Sequence, residues 1–197
     1  MLRATSRTYY LKELPQLPKA QLYGCDYFSG RTSNYEGGVL KRWGENNGLR
    51  YDRHKYYRGV ARKIASRKPT SVLEVGCGVG FTVRELLHLG IPTVGVDVSP
   101  WAIQHRVIPE VTVADAVSLP FKDKEFDLVF SHDVLEHIPV RELLKVFDEL
   151  DRVGTRNYHI ISCGSLPNDR DITHVTMKPL SWWRSVAPQH FELEKKR

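Results

Sequence analysis

Cysteine is scarce and scattered. Cys25, Cys77 and Cys163 are the only three, and no two form a C-x-x-C pair. An odd, widely spaced set argues against a disulfide framework and against structural zinc, and predicts a reducing compartment. No apolar run approaches the ~18 residues that a membrane-spanning helix needs, and no secretory h-region opens the chain. Residues 1–20 carry Arg3, Arg7, Lys12 and Lys19 against the single acid Glu13. That pattern also suits a weak organellar transit peptide, but Pro15 and Pro18 limit any helix there, and the cytoplasm is the compartment expected. Acids are sparse early on. Residues 1–70 hold 15 Lys/Arg against 5 Asp/Glu, while residues 71–197 hold 14 against 18. A basic front on a slightly acidic body fits an anionic substrate or nucleic acid, or equally a solvated basic helix face.

What the chain does have is concentrated in SVLEVGCGVGFTVRELLHLGIPTVGVDVSP, Ser71 to Pro100. Val72, Leu73 and Val75 form a short apolar run of the kind that becomes a buried parallel strand. Gly76, Cys77, Gly78, Val79 and Gly80 follow at once. A turn this tight, with a ligand close against its backbone, needs residues without a Cβ. Phe81–Leu89 reads as a helix with Val83, Leu86, Leu87 and Leu89 toward the sheet, stopped by Gly90. Thr93–Val96 is a second strand with Asp97 at its carboxyl end. Ligands of open α/β sheets bind outside the carboxyl ends of the strands, so the glycine turn and Asp97 should line one crevice. A dinucleotide site would show G-x-G-x-x-G. Here Gly76-x-Gly78-x-Gly80 follows Glu74, which suits a zwitterionic ligand without a pyrophosphate.

The rest of the chain repeats the alternation. Tyr51–Lys68 is an amphipathic helix with Tyr56, Tyr57, Val60, Ile64 and Ala65 on one side. Ser99 caps a short helix that has Pro100 at its first position. Val111–Val113 is a third strand, followed by Ala114-Asp115-Ala116. Leu119-Pro120-Phe121 leads to a fourth strand at Phe126–Phe130 and then to Ser131-His132-Asp133-Val134-Leu135-Glu136-His137. Pro139–Val153 is a helix with Val140, Leu143, Leu144, Phe147 and Leu150 inward, and Tyr158–Ser162 is a fifth strand. Such order predicts an α/β fold: a doubly wound, mainly parallel Rossmann-like sheet with helices on both faces.

G-x-G-x-G after an acid, LPF-x-D-x-x-FDLV and VLEH, in this order, resemble the class I S-adenosylmethionine-dependent methyltransferases of the small-molecule type. The resemblance covers roughly residues 52–162. It implies S-adenosylmethionine as cofactor and S-adenosylhomocysteine as product. Glu74, Gly76, Cys77, Gly78 and Gly80 would surround the methionine part. Asp97 and Val98 would hold the ribose, Asp115 and Ala116 the adenine, with His132 alongside. Residues 51–197 would be the methyltransferase domain, and residues 1–50 a basic, aromatic extension whose Tyr23, Tyr27, Phe28 and Tyr35 form a lid. The family core ends in a helix and an antiparallel hairpin. Here Pro179–Val186 supplies the helix and Phe191–Glu194 one strand, so the hairpin is shortened, and a partner or a second copy in a homodimer would close the sheet edge.

In-line transfer from a sulfonium needs an aligned nucleophile and, for a hydroxyl, a proton acceptor. His174, in a D-x-T-H-V segment similar to one beside the active site of related enzymes, is the expected base or orienter. Asp171 is its partner and His132 a further candidate. Trp182 and Trp183 are expected as a substrate wall. Asp133-x-x-Glu136-His137 resembles the E-x-x-E-H segment of quinone-precursor O-methyltransferases, where a divalent ion can sit. The first acid differs, Glu136 and His137 are read as starting the next helix, and no metal is assigned. The expected activity is methyl transfer to a small-molecule acceptor: a hydroxyl of a sugar, a nucleotide-sugar, or a phenolic or quinone precursor. The alternatives are an RNA or protein methyltransferase using the basic front, and a non-catalytic cofactor-binding subunit.

Overall fold

The computed structural model describes residues 18–28, 54–164, 171 and 173–196. Two short helices, α1 (Lys19–Leu22) and α2 (Cys25–Phe28), precede α3 (His54–Ala65). Then β1 (Val72–Val75), α4 (Phe81–His88), β2 (Thr93–Asp97), α5 (Pro100–Gln104) and β3 (Val111–Val113) alternate. They are followed by β4 (Phe126–His132), a 3-10 turn at Leu135–His137, α6 (Val140–Val153), β5 (Gly154–Ile161), α7 (Leu180–Val186) and β6 (Glu192–Lys195). The six strands form one sheet in the order β3-β2-β1-β4-β5-β6, and every pair is parallel. The chain runs outward from β1 to β3, then returns to lay β4 on the other flank of β1. That reversal opens a crevice beyond the carboxyl ends of β1 and β4.

A parallel strand covered on both faces should be apolar throughout. β1 is buried at all four positions, and only Glu74 in it is polar. Alternation sorts its neighbours onto two faces. Leu73, Val75, Val129 and Ile161 pack with Leu143, Val146, Phe147 and Leu150 of α6 and with Trp183 of α7. Val72, Leu128, Phe130 and Ile160 pack with Val60, Ala61 and Ile64 of α3 and Leu86 of α4.

The helical stripes differ in phase from the sequence reading. Val140 and Leu144 do not face inward but are 52% and 70% exposed, and Val146 is buried instead. The buried set on α6, Leu143, Val146, Phe147, Leu150 and Val153, follows the i, i+3, i+4, i+7 stripe. Leu144 lies ~100° around the helix from Leu143, off that stripe. Leu89, just past the end of α4, and Tyr56, in the first turns of α3, are likewise exposed. β4 runs on to His132, and β5 begins at Gly154 rather than at Tyr158.

β6 lies directly against β5, Tyr158–Ile161 pairing with Glu192–Lys195. Among the described residues no antiparallel strand separates them, and all six strands of the sheet are parallel. The basic face of α3 meets β6: Lys63 pairs with Glu194 and Arg67 with Glu192. The Arg67 guanidinium also sits 3.6 Å from the centroid of the Tyr158 ring. Part of the basic charge of the front segment is therefore matched inside the fold.

Candidate active site

β1 carries Glu74 to the crevice, and the glycine turn follows. Gly76, Gly78 and Gly80 have φ of 74°, 55° and 91°. At Gly76 a Cβ would also lie 2.2 Å from Cγ2 of Val134, beyond β4, so this position excludes a side chain twice over. The turn is pinned to β2 by the Gly76 and Cys77 amides, which donate to the Val96 carbonyl at 2.8 and 3.0 Å. Asp97 tightens it further. Its Oδ2 accepts the Gly78 N–H at 2.7 Å and its Oδ1 the Ser99 N–H at 2.9 Å. Two amides leave acceptor capacity on a carboxylate with about four lone-pair sites. Burial pushes the Asp97 pKa up, against those amide bonds. Glu74 accepts from the Thr82 hydroxyl and the Val83 amide at the start of α4, and burial pushes its pKa up to about 8. Among the described residues its Oε2 has no partner.

A cleft of about 980 Å³ opens over this turn. Glu74, Gly76, Gly78, Asp97, Val98, Asp115 and Ala116 all line it. Cys77 and Gly80 stand behind the lining. Cys77 packs against Val83, Ile103 and Val111, with its thiol pushed up by burial, and Gly80 starts α4. Asp115 accepts the Val117 N–H at 3.2 Å. Lys19, which sequence reasoning did not place here, bridges Asp115 and Glu142 at 2.9 Å each. It belongs to the α1–α2 strap, which is tied down where the Ser99 hydroxyl donates to the Tyr23 carbonyl. Within the strap, Tyr23 and Tyr27 meet edge to face at 5.1 Å, and Phe28 stacks on Trp101 at 5.1 Å. Tyr23, Tyr27 and Phe28 line the cleft, whereas Tyr35 lies outside the described residues. Trp182 and Trp183 do not line it. Trp183 is fully buried in the core, with Trp182 packed beside it.

The other side of the cleft is rich in imidazole. His132, at the end of β4, has Nε2 2.9 Å from the Tyr56 hydroxyl and 3.7 Å from Asp133 Oδ2; burial pushes its pKa down. His174 Nε2 stands 3.9 Å from Asp171 Oδ2, outside hydrogen-bond range. Asp171 serves another residue more closely. Its Oδ1 accepts the Thr173 hydroxyl at 2.6 Å and the Thr173 N–H at 2.9 Å. The Thr173 oxygen in turn lies 2.9 Å from His137 Nδ1. His137 meets His174 ring to ring at 4.5 Å, and burial, reinforced by His174, pushes its pKa down to about 4. His137 is thus a site residue that sequence reasoning treated as a helix start. The local signal was the Asp171-x-Thr173 spacing, which builds a side-chain-to-backbone turn. Glu136 is wholly buried; its Oε1 accepts the Ser162 N–H at 3.0 Å.

Residues 73–161 match the family described as "Methyltransferase domain". The chain is 33% identical over 109 residues to norajmaline N-methyltransferase of Rauvolfia serpentina, covering 49% of this chain and 36% of that protein. It is 32% identical to a probable chloroplastic tocopherol O-methyltransferase of Oryza sativa subsp. japonica, over 58% of this chain and 34% of that one. A sterol 4-C-methyltransferase of Caenorhabditis elegans is 27% identical over 68% of this chain and 44% of its own. The chain therefore spans less than half the length of these relatives. In fold it resembles the YcgJ protein of Bacillus subtilis, with a TM-score of 0.52 and 24% identity over 67% of this chain and 66% of that one. No helix among the described residues is long and apolar enough to cross a membrane. The sheet order, the glycine turn at the strand reversal and the match over residues 73–161 support a class I S-adenosylmethionine-dependent methyltransferase domain, with S-adenosylmethionine as the cofactor.

Proposed function

We propose that the chain transfers the methyl group of S-adenosylmethionine to a hydroxyl of a small ring-bearing acceptor, of the phenol or quinol type. One observation carries this reading: the glycine turn, Asp97 and Asp115 line the same cleft as His132, His137 and His174. The backbone of Gly76 and Gly78 and the carboxyl of Glu74 take the methionine portion. Asp97 accepts from the ribose hydroxyls, and Asp115 with Ala116 meets the adenine. Tyr23, Tyr27 and Phe28 cover the cleft and offer faces for an aromatic acceptor. The sulfonium already activates the methyl group, so the residues opposite must align the acceptor oxygen, exclude water and withdraw its proton. That task falls to the His137–His174 wall, which Asp171 orders through Thr173. A tocopherol O-methyltransferase among the relatives supports a phenolic hydroxyl, although relatives named for N- and C-methylation share the domain.

The test is incubation with methyl-labelled cofactor and a panel of phenols, quinols, sugars, amines and RNA, read by mass spectrometry. Methylated phenols or quinols, lost in Asp97→Ala, are expected. Label entering only RNA or amines would overturn the acceptor class.

A further inference from the structure

The methionine part of the cofactor carries an ammonium and a carboxylate. Glu74, whose buried Oε2 has no partner among the described residues, meets the first; the second needs a donor. Strand alternation shows what stands nearby. Glu74 shares a face of β1 with Val72, and His132 shares a face of β4 with Leu128 and Phe130; α3 and α4 cover that face. The β1–β4 register pairs Val75 with Ser131, which sets His132 alongside Gly76. Tyr56, in the first turn of α3, reaches the same point. Its hydroxyl lies 2.9 Å from His132 Nε2, and the two rings are 5.5 Å apart. The next residue, Tyr57, stacks on Phe81 at 4.9 Å, which fixes this turn of α3 over the start of α4, where Thr82 holds Glu74. Glu74, Tyr56, Tyr57, Thr82 and His132 all line the cleft.

Burial keeps the His132 imidazole neutral, so it has a single N–H. Its Nε2 faces two oxygens, the Tyr56 hydroxyl at 2.9 Å and Asp133 Oδ2 at 3.7 Å. A carboxylate can only accept, which favours the proton on Nε2. His132 then donates to the Tyr56 oxygen, and the Tyr56 O–H turns away from the ring toward another acceptor. Lys196, which also lines the cleft, pairs with Asp133, so the neighbouring acid is balanced. We infer that the Tyr56 hydroxyl, oriented by His132, donates to the methionine carboxylate of the cofactor and so positions the sulfonium for transfer. Glu74 takes the ammonium and Tyr56 the carboxylate, which holds the amino-acid end at two points. A hydrogen bond to an ionised acceptor is stronger than one between neutral groups. Tyr56 lies outside residues 73–161, so the family match does not include it. Its role rests on the cofactor placement proposed above.

The test is calorimetric titration of the whole chain with two ligands. One is S-adenosylhomocysteine. The other is S-adenosyl-3-thiopropylamine, which keeps the adenosine, sulfur and ammonium and lacks only the carboxylate; it is titrated in competition with the first. The wild type should bind the analogue about 10-fold more weakly or worse. Tyr56→Phe keeps the ring and removes only the hydroxyl, and at 41% exposure the fold survives the change. This variant should bind S-adenosylhomocysteine about 10-fold more weakly and the analogue within about twofold of the wild type. Asp97→Ala, facing the ribose that both ligands carry, should weaken both. A Tyr56→Phe chain that binds S-adenosylhomocysteine as the wild type does, or that loses both ligands to the same degree, overturns the role of Tyr56. A wild type that binds neither ligand would instead strike the methyltransferase reading.

Discussion

Gly76 concentrates the demands on the site in one residue. Its φ is 74°, and a Cβ there would lie 2.2 Å from Val134. Gly76→Ala should cost on the order of 3 kcal/mol in strain and overlap, read by chemical denaturation, and should abolish S-adenosylhomocysteine binding. Gly59, inside α3, has nothing within 4 Å of a Cβ. Gly59→Ala should therefore gain ~0.5–1 kcal/mol and leave binding intact. Residues of the first kind are legible in sequence because their cause is local: an acid, spaced glycines and a strand-end aspartate within a few tens of residues. Thr173 and His137 were not, since they meet across 36 positions. Lys19 reaches Asp115 across 96, from a segment whose sequence reads as a basic, aromatic extension without marking Lys19. No local pattern encodes such pairs; packing of the finished sheet does.

At the scale of elements, periodicity located the helices and strands, while packing decided which residues turn inward. Leu143 and Leu144 make the contrast measurable, being buried and 70% exposed respectively. Leu143→Ala should cost about 2–5 kcal/mol through lost burial and a cavity, and Leu144→Ala within about 0.5 kcal/mol; thermal melts of the two variants would check this. The paired tryptophans of α7 followed the same rule. Their size suggested a binding wall, but Trp183 stands on the stripe that meets the sheet and went into the core. The α3–β6 contact was illegible for a further reason: charge counts gave a basic front, and only the fold sets Lys63 and Arg67 against Glu194 and Glu192.

For the whole molecule, buried titratable groups set a pH window of stability. His137 and His159 are held neutral by burial, with pKa pushed down to about 4 and about 3. Their contribution is complete above the ordinary histidine value and is lost as pH falls through that range. Glu74 and Glu136 have pKa pushed up to about 8. Their folded forms bind protons that the unfolded chain releases above the ordinary glutamate value of 4.5. The stability tied to them is complete below that value and declines as pH rises toward 8. Opposite slopes meet in mildly acidic solution, so melting should be highest near pH 5–6 and fall toward pH 8, by on the order of 2 kcal/mol per glutamate. Glu136→Gln should flatten the alkaline limb; an unchanged limb would remove Glu136 as a cause.

The cofactor cleft is tested most directly by calorimetric titration of the chain with S-adenosylhomocysteine, wild type beside Asp97→Ala. The substitution removes the carboxylate proposed to accept from the ribose and the anchor of the Gly78 and Ser99 amides. Binding by the wild type, weakened by about 10- to 150-fold in the variant as expected for hydrogen bonds to a charged group, is the result expected. No binding by the wild type, or equal binding by both, would contradict the placement of the cofactor over the glycine turn and Asp97.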